Sequence, residues 1–387
     1  MYVTILGRQP ALGIAELERV FGGNNVTPLS NLAATVDTDR LEIQDLGGAL
    51  KAGVVIIDIT SGDWHKVNKK IVQHYTQEWA AFEGKITLGL SAYGFDVDPR
   101  DVQKIGIILK QKLKKAGVSL RLVPNQDTAL STATSHHNKL GLASNKVELL
   151  IVRAKDGKII IAESTGAQNI TAYTKRDQER PKRDAFVGML PPKLAQIMIN
   201  LAHPAPHARI LDPFCGTGVI LQEAALQGYG VYGTDLSEKM VRYSRENLNW
   251  LADTHHLRFD FDLHEGDAMN TTWQQPVDAV VAETYLGQPF SAPPSPAKLE
   301  EVRKNCNHIL TEFLKNLAPQ IESGTPVCIA IPAWRSKEGN FTHLPLIATI
   351  AQLGFKPHEF RNISQNDLLY FREDQVVARE LLTLTKI

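Results

Sequence analysis

Cysteine and long apolar runs are both scarce in this chain. Its 387 residues include three cysteines, Cys215, Cys306 and Cys328, which are too few and too scattered for a disulfide framework or a zinc site. No apolar stretch approaches the ~20 residues of a membrane-spanning helix. The first ten residues, MYVTILGRQP, lack the cationic lead and apolar core of a secretory signal. We therefore expect a cytoplasmic protein with no membrane segment and no bound metal.

An excess of one charge is also missing, because 42 Lys and Arg residues balance 42 Asp and Glu residues. The balance argues against a polycation or an acidic tail, but it hides a local contrast. Residues 91–183 hold 17 basic and 9 acidic side chains, with dense runs at Lys110–Lys115 and Lys175–Arg183. Such runs are often solvated helix faces, and they can also form a patch that binds nucleic acid.

Hydrophobic periodicity predicts two regions of different architecture. Before residue 167, strand-like and helix-like segments mix, and the dipeptide Asp156-Gly157 predicts a hairpin between two apolar strands. This mixture favours an α+β layer. Residues 167–185 are polar and predict an irregular linker. From residue 186 onward strands and helices alternate, which predicts an α/β fold with a mostly parallel sheet.

The segment ILDPFCGTGVILQEAALQGYGVYGTDLS carries the clearest chemical signal. A predicted strand ends at Asp212, a glycine-rich turn and a helix follow, and the next strand ends at Asp235. Asp267 follows the third strand. Ligands of open α/β sheets bind outside the carboxyl ends of the strands, where glycines allow close backbone approach and an acid can accept from ribose hydroxyls.

A dinucleotide-binding fold is the main rival for this segment, and it fits poorly. The third glycine of the pattern G-x-G-x-x-G would fall on Leu221. A carboxylate at Asp212 would repel a pyrophosphate but would suit a cationic ligand with an aminoacyl group. The three acids at three successive strand ends therefore favour a cofactor site over isolated structural turns.

The segments LDPFCGTG, GTDLS and GDA resemble the first three motifs of class I S-adenosylmethionine-dependent methyltransferases. DPFCGTG is the form found in the branch that methylates exocyclic amines of nucleic-acid bases. The resemblance implies a Rossmann-like domain with a seven-stranded sheet and S-adenosylmethionine as cofactor. It assigns the cofactor contacts to Asp212, Phe214, Gly216, Thr217, Gly218, Asp235, Leu236, Asp267 and Ala268.

Segments outside these motifs resemble RNA methyltransferases that contain a THUMP domain, among them tRNA guanosine-N2 methyltransferases acting at position 10. They are YTKRDQERPKRDAFVGMLPPKLAQIMINLA, LSTATSHHNKL and ILGRQPALGIAELE. The resemblance implies a ferredoxin-like domain (1–62), an RNA-binding THUMP domain (63–166), a linker (167–185) and a methyltransferase domain (186–387). It implies tRNA as partner, with candidate contacts from Lys112, Lys114, Lys115, Arg121 and Lys139.

The fourth motif departs from the family pattern. Glu283-Thr284-Tyr285-Leu286-Gly287 stands where Asp-Pro-Pro-Tyr-Gly is expected, so the acid is one methylene longer and both prolines are missing. We expect Glu283 to accept an amine proton and to offset the charge that develops on the attacking nitrogen. Tyr285, or less favourably Phe290, would offer a face for the flipped base.

Four functions remain open from the sequence. The leading one is methylation of a guanine amine in tRNA. The second is methylation of another base amine or of rRNA, and the third is RNA binding without catalysis, because the D-P-P-Y motif is altered. The fourth, a small-molecule methyltransferase, is weakened by an N-terminal region of about 165 residues, more than a substrate lid requires.

Overall fold

The computed structural model describes residues 1–184 and 189–387. These residues form two units, Met1–Ala172 and Tyr173–Ile387, each with its own sheet and core. The predicted start of the methyltransferase domain, between residues 185 and 186, lies outside the described residues. Within them, no helix is both long and apolar enough to cross a bilayer.

The first unit is built on a mixed sheet of eight strands, numbered here in chain order. They are β1 (Tyr2–Leu6), β2 (Val26–Pro28), β3 (Ala33–Val36), β4 (Ala49–Ile59), β5 (Lys85–Tyr93), β6 (Ser119–Leu122), β7 (Lys146–Arg153) and β8 (Ile159–Ala167). Their order across the sheet is β2-β3-β1-β4-β8-β7-β5-β6, and β5 pairs in parallel with β6 and β7. The predicted hairpin joins β7 to β8, where Gly157 takes a φ of 88°.

Four helices of the first unit precede β8 in the chain. They are α1 (Pro10–Phe21), α2 (Trp64–Glu78), α3 (Pro99–Lys115) and α4 (Thr132–His137). Helices α2 and α3 pack apolar faces onto β5, β6 and β7. Strand β4 of the predicted ferredoxin-like domain pairs with β8, so one sheet runs through both predicted N-terminal domains. The division at residue 62 stays a prediction.

The irregular linker expected over residues 167–185 contains a helix, α5 (Ile170–Gln178). Its start is marked by Asn169, whose side-chain oxygen accepts a hydrogen bond from the backbone N–H of Ala172 at 3.0 Å. Asparagine is a favoured residue at helix starts, since its oxygen satisfies an otherwise free N–H group. The expectation of irregular structure is therefore wrong for residues 170–178.

The second unit contains nine described strands and four further helices. The strands are β9 (Arg209–Asp212), β10 (Gly230–Asp235), β11 (Phe261–Glu265), β12 (Ala279–Glu283), β13 (Pro326–Arg335), β14 (Phe341–Thr342), β15 (Phe355–Pro357), β16 (Leu369–Tyr370) and β17 (Val377–Lys386). The helices are α6 (Pro192–Ala202), α7 (Val219–Leu226), α8 (Glu238–His255) and α9 (Pro296–Leu317). Five 3₁₀ helices complete the described elements: Gly23–Asn25, Ile43–Asp45, Ala318–Gln320, Pro345–Leu353 and Gln365–Asp367.

Seven of these strands form the main path of the sheet, in the order β11-β10-β9-β12-β13-β17-β15. The first five strands in this order, from β11 through β10, β9 and β12 to β13, pair in parallel. Strand β17 pairs antiparallel with both β13 and β15. The mostly parallel seven-stranded sheet predicted from the sequence is confirmed. Strands β10 and β11 are added on one side of β9 and β12 on the other, so the strand order reverses at β9. Ligands of open α/β sheets bind in the crevice at such a point.

Candidate active site

A cavity of about 990 Å³ opens at the carboxyl ends of β9, β10 and β12 in the second unit. This volume is at the upper end of the roughly 300–1,000 Å³ typical of sites for small ligands. Ten of the eleven residues predicted for the cofactor and the chemistry line it: Asp212, Phe214, Gly216, Thr217, Asp235, Leu236, Asp267, Ala268, Glu283 and Tyr285. Residues selected from their spacing in the sequence therefore line one cavity, although their individual roles stay predictions.

Gly218 is the predicted cofactor residue that does not line the cavity. Its φ of 80° is a left-handed conformation, and its N–H group donates to the carbonyl of Cys215 at 2.7 Å. A β-carbon at this position would lie 2.8 Å from Oγ of Ser244 on α8. Glycine is therefore required here for the close approach of α8 to the loop, which gives Gly218 a role in packing. Its contact with the cofactor stays a prediction.

Two buried polar residues of α8 hold the glycine-rich loop, and neither was predicted from the sequence as a site residue. Ser244 Oγ donates to the carbonyl of Gly216 at 2.9 Å, and Asn247 Nδ2 donates to the carbonyl of Thr217 at 2.8 Å. Asn247 also exchanges two 2.9 Å hydrogen bonds with the backbone of Lys182. The signal was present as two small polar residues, three positions apart, on the apolar face of the helix.

Asp212 is the most buried acid of the cavity, with 2% of its surface exposed. Burial raises the pKa of its carboxyl group well above the usual value, and the nearby charges of Asp235 and Glu283 raise it further. One hydrogen bond, from the N–H of Phe214 at 3.1 Å, acts in the opposite direction. A desolvated carboxylate whose strongest charged neighbours are negative is suited to bind a cationic group.

Asp235 and Asp267 both accept backbone hydrogen bonds at the cavity. The two oxygens of Asp235 accept from the N–H groups of Gly216 and Ser237, each at 2.9 Å. Burial raises the pKa of Asp235, and these two bonds oppose that rise. Oδ1 of Asp267 accepts from the N–H of Met269 at 2.9 Å. Each carboxylate oxygen has a second lone pair, so both acids are fixed in place and can still accept from a ligand.

Glu283 ends β12 and forms an ion pair with Arg379 of β17, a partner that the sequence analysis did not anticipate. The strand register explains the contact. Glu283 lies opposite Ala330 on β13, Ala330 lies opposite Leu381, and Arg379 lies opposite Pro332. Residues two apart on a strand share a face, so both side chains project from the same face and meet across the small side chain of Ala330.

The ion pair sets the electrostatic state of Glu283. Burial raises the pKa of its carboxyl group above the usual value, and the adjacent guanidinium of Arg379 offsets part of that rise. The two side chains are 16% and 9% exposed, so neither charge is well screened by water. Arg379 therefore favours the ionised carboxylate, the form in which Glu283 can accept a proton or stabilise a developing positive charge.

The loop after Glu283 is fixed without the prolines of the usual motif. Both the backbone N–H and the hydroxyl of Thr284 donate to the carbonyl of Ala330, at 3.0 and 2.8 Å. Gly287 takes a φ of 82°, and a β-carbon there would lie 2.9 Å from Val302 and 3.2 Å from the sulfur of Cys306 on α9. Hydrogen bonding and close packing on α9 thus hold the loop in place of two rigid proline rings.

Tyr285 and Phe290 are the two aromatic candidates for stacking on a base, and both line the cavity. Tyr285 is 41% exposed, whereas Phe290 packs against the core of the second unit. A base needs an accessible ring face. The exposure of Tyr285 therefore supports the expectation that ranked it first.

The predicted RNA contacts Lys112, Lys114 and Lys115, called the α3 lysines below, lie in the last turn of α3 in the first unit. All three are exposed. Cations near a helix C-terminus also interact favourably with the helix dipole, so their positions fit a structural role as well as phosphate binding. Their contact with RNA stays a prediction.

Arg121 and Lys139 form a second group on the other face of the sheet. Leu120 and Leu122, on either side of Arg121 in β6, pack against the core under α3. The side chain of Arg121 therefore leaves the sheet on the opposite face, where it donates to the side chain of Asn138 at 3.4 Å, next to the exposed Lys139. The five candidates are thus not one contiguous row, although both groups lie near the edge strand β6.

Two methyltransferase family models match this chain, and one of them lies wholly within the second unit. A family model described as RMKL-like, methyltransferase domain matches residues 180–335, and one described as DNA methylase matches residues 60–246. The crystal structure of TrmN from Thermus thermophilus superposes with a TM-score of 0.53 at 18% identity, covering 100% of this chain and 99% of that one. The Rossmann-like class I methyltransferase fold predicted for the second unit is confirmed.

Curated relatives carry closely related names. A tRNA (guanine(10)-N2)-dimethyltransferase of Methanothermobacter thermautotrophicus is 36% identical over 164 residues, 42% of this chain and 45% of that protein. A Methanothermococcus thermolithotrophicus protein named "Probable tRNA (guanine(10)-N2)-dimethyltransferase" is 31% identical over 121 residues, 30% of this chain and 73% of that protein. The matched region spans less than half the length of the first of these relatives.

Proposed function

This chain belongs to the family of tRNA guanine-N2 methyltransferases, and we propose that it transfers a methyl group from S-adenosylmethionine to the exocyclic N2 amine of a guanine in tRNA. The observation that carries the proposal is the cavity where Asp212 and Glu283 meet at the carboxyl edge of one sheet. The first carboxylate suits a cationic cofactor, and the second suits an amine that becomes cationic as it attacks.

The residues around Asp212 fit S-adenosylmethionine. Its buried carboxylate has negative neighbours and would pair with the cofactor's ammonium group. Asp235 would accept from the ribose hydroxyls and Asp267 from the adenine amine, while the exposed Leu236 offers apolar contact beside them. Gly216 and Thr217 supply the backbone of the cradle. When bound, this cofactor supplies an electrophilic methyl group.

Glu283 would act on the target amine. Its carboxylate accepts a hydrogen bond from N2, directs the nitrogen toward the cofactor side of the cavity and offsets the positive charge that forms on it. The carbonyl of Thr284 offers a second acceptor, and the residue is held in place because its N–H and hydroxyl both donate to the carbonyl of Ala330. Tyr285 would stack on the base after it leaves the RNA helix.

The first unit would bind the RNA. Residues 63–166 would act as the THUMP domain, with the α3 lysines, Arg121 and Lys139 contacting phosphates. Their exposure supports this assignment. A cytoplasmic location would suit this function, and the three cysteines, all buried, form no disulfide within the described residues, which is compatible with a reducing compartment.

The test is a methylation assay with labelled S-adenosylmethionine and unmodified tRNA transcripts, followed by digestion to nucleosides. We expect label in N2-methylguanosine or N2,N2-dimethylguanosine. A matched transcript with inosine at the labelled position lacks only the exocyclic amine and should accept no label. Label in methylated adenosine would instead support another base amine. Intact binding of tRNA and cofactor without any label would support the non-catalytic alternative.

A further inference from the structure

Arg379 lines the cavity as a cation, and in the proposed methyl transfer it acts only through its ion pair with Glu283. Its side chain is 9% exposed, and its Nε donates to Oε1 of Glu283. Within residues 1–184 and 189–387, its two terminal amino groups have no hydrogen-bonding partner. Neither terminal nitrogen is among the fully buried unpaired atoms of the described residues, so both have surface accessible from the cavity that Arg379 lines. A ligand with an acceptor atom can therefore bind these charged donors inside the cavity.

Glu283 presents a matching acceptor beside these donors. Of its two carboxylate oxygens, Oε1 accepts from Arg379, and Oε2 has no partner among the described residues. The two side chains project from the same face of the sheet across β13. A ligand that enters here therefore meets a carboxylate oxygen and guanidinium N–H groups side by side.

Guanine has the complementary edge. Its N2 amine and its N1–H are adjacent donors, and O6 next to them is an acceptor. We propose that Arg379 donates to O6 of the target guanine while Glu283 accepts from N1 and N2, so that the ion pair selects guanine among the bases. Arginine donation to guanine O6 and carboxylate acceptance from a base amine are established pairings in nucleic-acid recognition. This inference rests on the proposed function.

Adenine and cytosine fit the pair less well. Each presents one amine donor next to a ring-nitrogen acceptor, so neither offers the second donor that Glu283 can accept. A site built to bind a polar group rejects analogues that leave its buried partners unpaired. Specificity would then reside in Arg379, which is 96 residues away from Glu283 in the chain.

The placement favours the base over other anionic or polar ligands of Arg379. The cofactor's own carboxylate would lie near Asp212 at the end of β9, whereas Arg379 bonds Glu283 beyond β12, toward β17. An RNA phosphate would be drawn to an exposed cation more readily than to one that is 9% exposed. Changing only O6 of the target base distinguishes the proposed contact from both alternatives, because neither the cofactor nor a phosphate is altered.

The test is single-turnover methylation of two tRNA transcripts that differ at the target nucleotide, guanine in one and 6-thioguanine in the other. The thio substitution keeps N1–H and the N2 amine but replaces O6 with a weaker acceptor. We expect the wild type to be about tenfold slower on the thio substrate, as befits a weakened hydrogen bond to a charged group. Arg379→Met should be slower on guanine and should show less than about a twofold thio effect.

Arg209→Met is the matched control. Arg209 is also partly buried in an ion pair, with Asp262 at 2.5 Å, but it lies at the amino end of β9, whereas the cavity is at the carboxyl end of that strand. It should keep the full thio effect. Arg379→Lys is the second variant should the methionine variant not fold, because lysine keeps a charge beside Glu283 but lacks the planar fork of donors. It too should lose most of the thio effect.

The outcomes separate the two proposals. An equal thio effect in the wild type and in both Arg379 variants would overturn guanine recognition by Arg379 while leaving N2 methylation intact. That result is also expected if Arg379 binds a phosphate or the cofactor. A wild type that labels no guanine would overturn the proposed function itself.

Discussion

Replacing Asp212 with asparagine should weaken the binding of the cofactor product without lowering the stability of the fold. Asparagine has the same shape and can still accept from the N–H of Phe214, but it carries no charge. In the ligand-free protein the carboxylate is 2% exposed and its strongest charged neighbours, Asp235 and Glu283, are negative. Removing the charge therefore relieves both desolvation and repulsion, and the variant should be at least as stable as the wild type.

The loss of binding follows from the same charge. A hydrogen bond to a charged partner contributes about 1.5–3 kcal/mol, which corresponds to a roughly 10- to 150-fold weaker affinity for S-adenosylhomocysteine. Calorimetric titration measures this loss. Asp260→Asn serves as the control, since Asp260 is exposed outside the cavity and its loss removes one charge without a ligand contact.

The charge of Asp212 should also make the stability of the wild type depend on pH, in a direction that can be measured. The pKa of Asp212 in the folded protein lies above its usual value of 3.8, so the folded protein retains a proton that the unfolded chain has released. Wild-type stability contributed by this group then falls as pH rises from 3.8 through the folded pKa. The thermal midpoint advantage of Asp212→Asn should be larger at pH 8 than at pH 4. A variant that binds S-adenosylhomocysteine as well as the wild type does would refute the cofactor assignment, and a variant less stable than the wild type would refute the electrostatic argument.

Three further predictions follow from the site and from the first unit. Glu283→Asp should slow single-turnover methylation by about 10²-fold, although it restores the family's usual residue, because the shorter acid cannot keep its contact with Arg379; a wild-type rate would contradict this. Gly287→Ala should lower the free energy of unfolding in urea by about 2–4 kcal/mol, against about 1–2 kcal/mol for Gly228→Ala, which has a similar φ but open space around it; equal losses would show that the packing on α9 is unimportant. Neutralising the α3 lysines should reduce the salt dependence of tRNA binding measured by filter retention, by up to about one unit of slope per lost phosphate contact. Neutralising Lys66, Lys69 and Lys70, exposed on α2 of the same unit, removes equal charge and should leave the slope unchanged.

Much of the cavity lining could be predicted because the residues proposed for the cofactor are close together in the chain. Asp212, Gly216 and Thr217 follow one strand and precede one helix, so a local pattern fixes their places. Asp235 could be predicted for the same reason, since parallel strands bring their carboxyl ends to one edge. Gly218 is a position where a local pattern is not sufficient, because the group packed against it is Ser244 of α8. A glycine pattern identifies a close approach, but it does not tell whether a ligand or a neighbouring helix is the approaching group.

Arg379 could not be predicted, because its contact with Glu283 depends on long-range strand register. Alternation along β17 tells only that Arg379 and Glu380 face opposite sides of the sheet. Which side faces the cavity is decided by the antiparallel pairing of Arg379 with Pro332 on β13. A shift of one residue would have turned Glu380 toward Glu283 and placed two acids together. The positive charge beside Glu283 therefore depends on how β13 and β17 pair in the assembled sheet.

The same register explains why a longer acid can replace the usual aspartate. A glutamate extends its carboxylate by about one carbon–carbon bond, roughly 1.5 Å, and that reach lets Glu283 meet Arg379 across β13. The prolines that normally stiffen the following loop are replaced by two hydrogen bonds from Thr284 to Ala330 and by the packing of Gly287 on α9. Two departures from the family motif, the longer acid and the loss of the prolines, are thus matched by contacts elsewhere in the second unit. Such compensation is expected of a site whose geometry is still required, and it weighs against a degenerate loop.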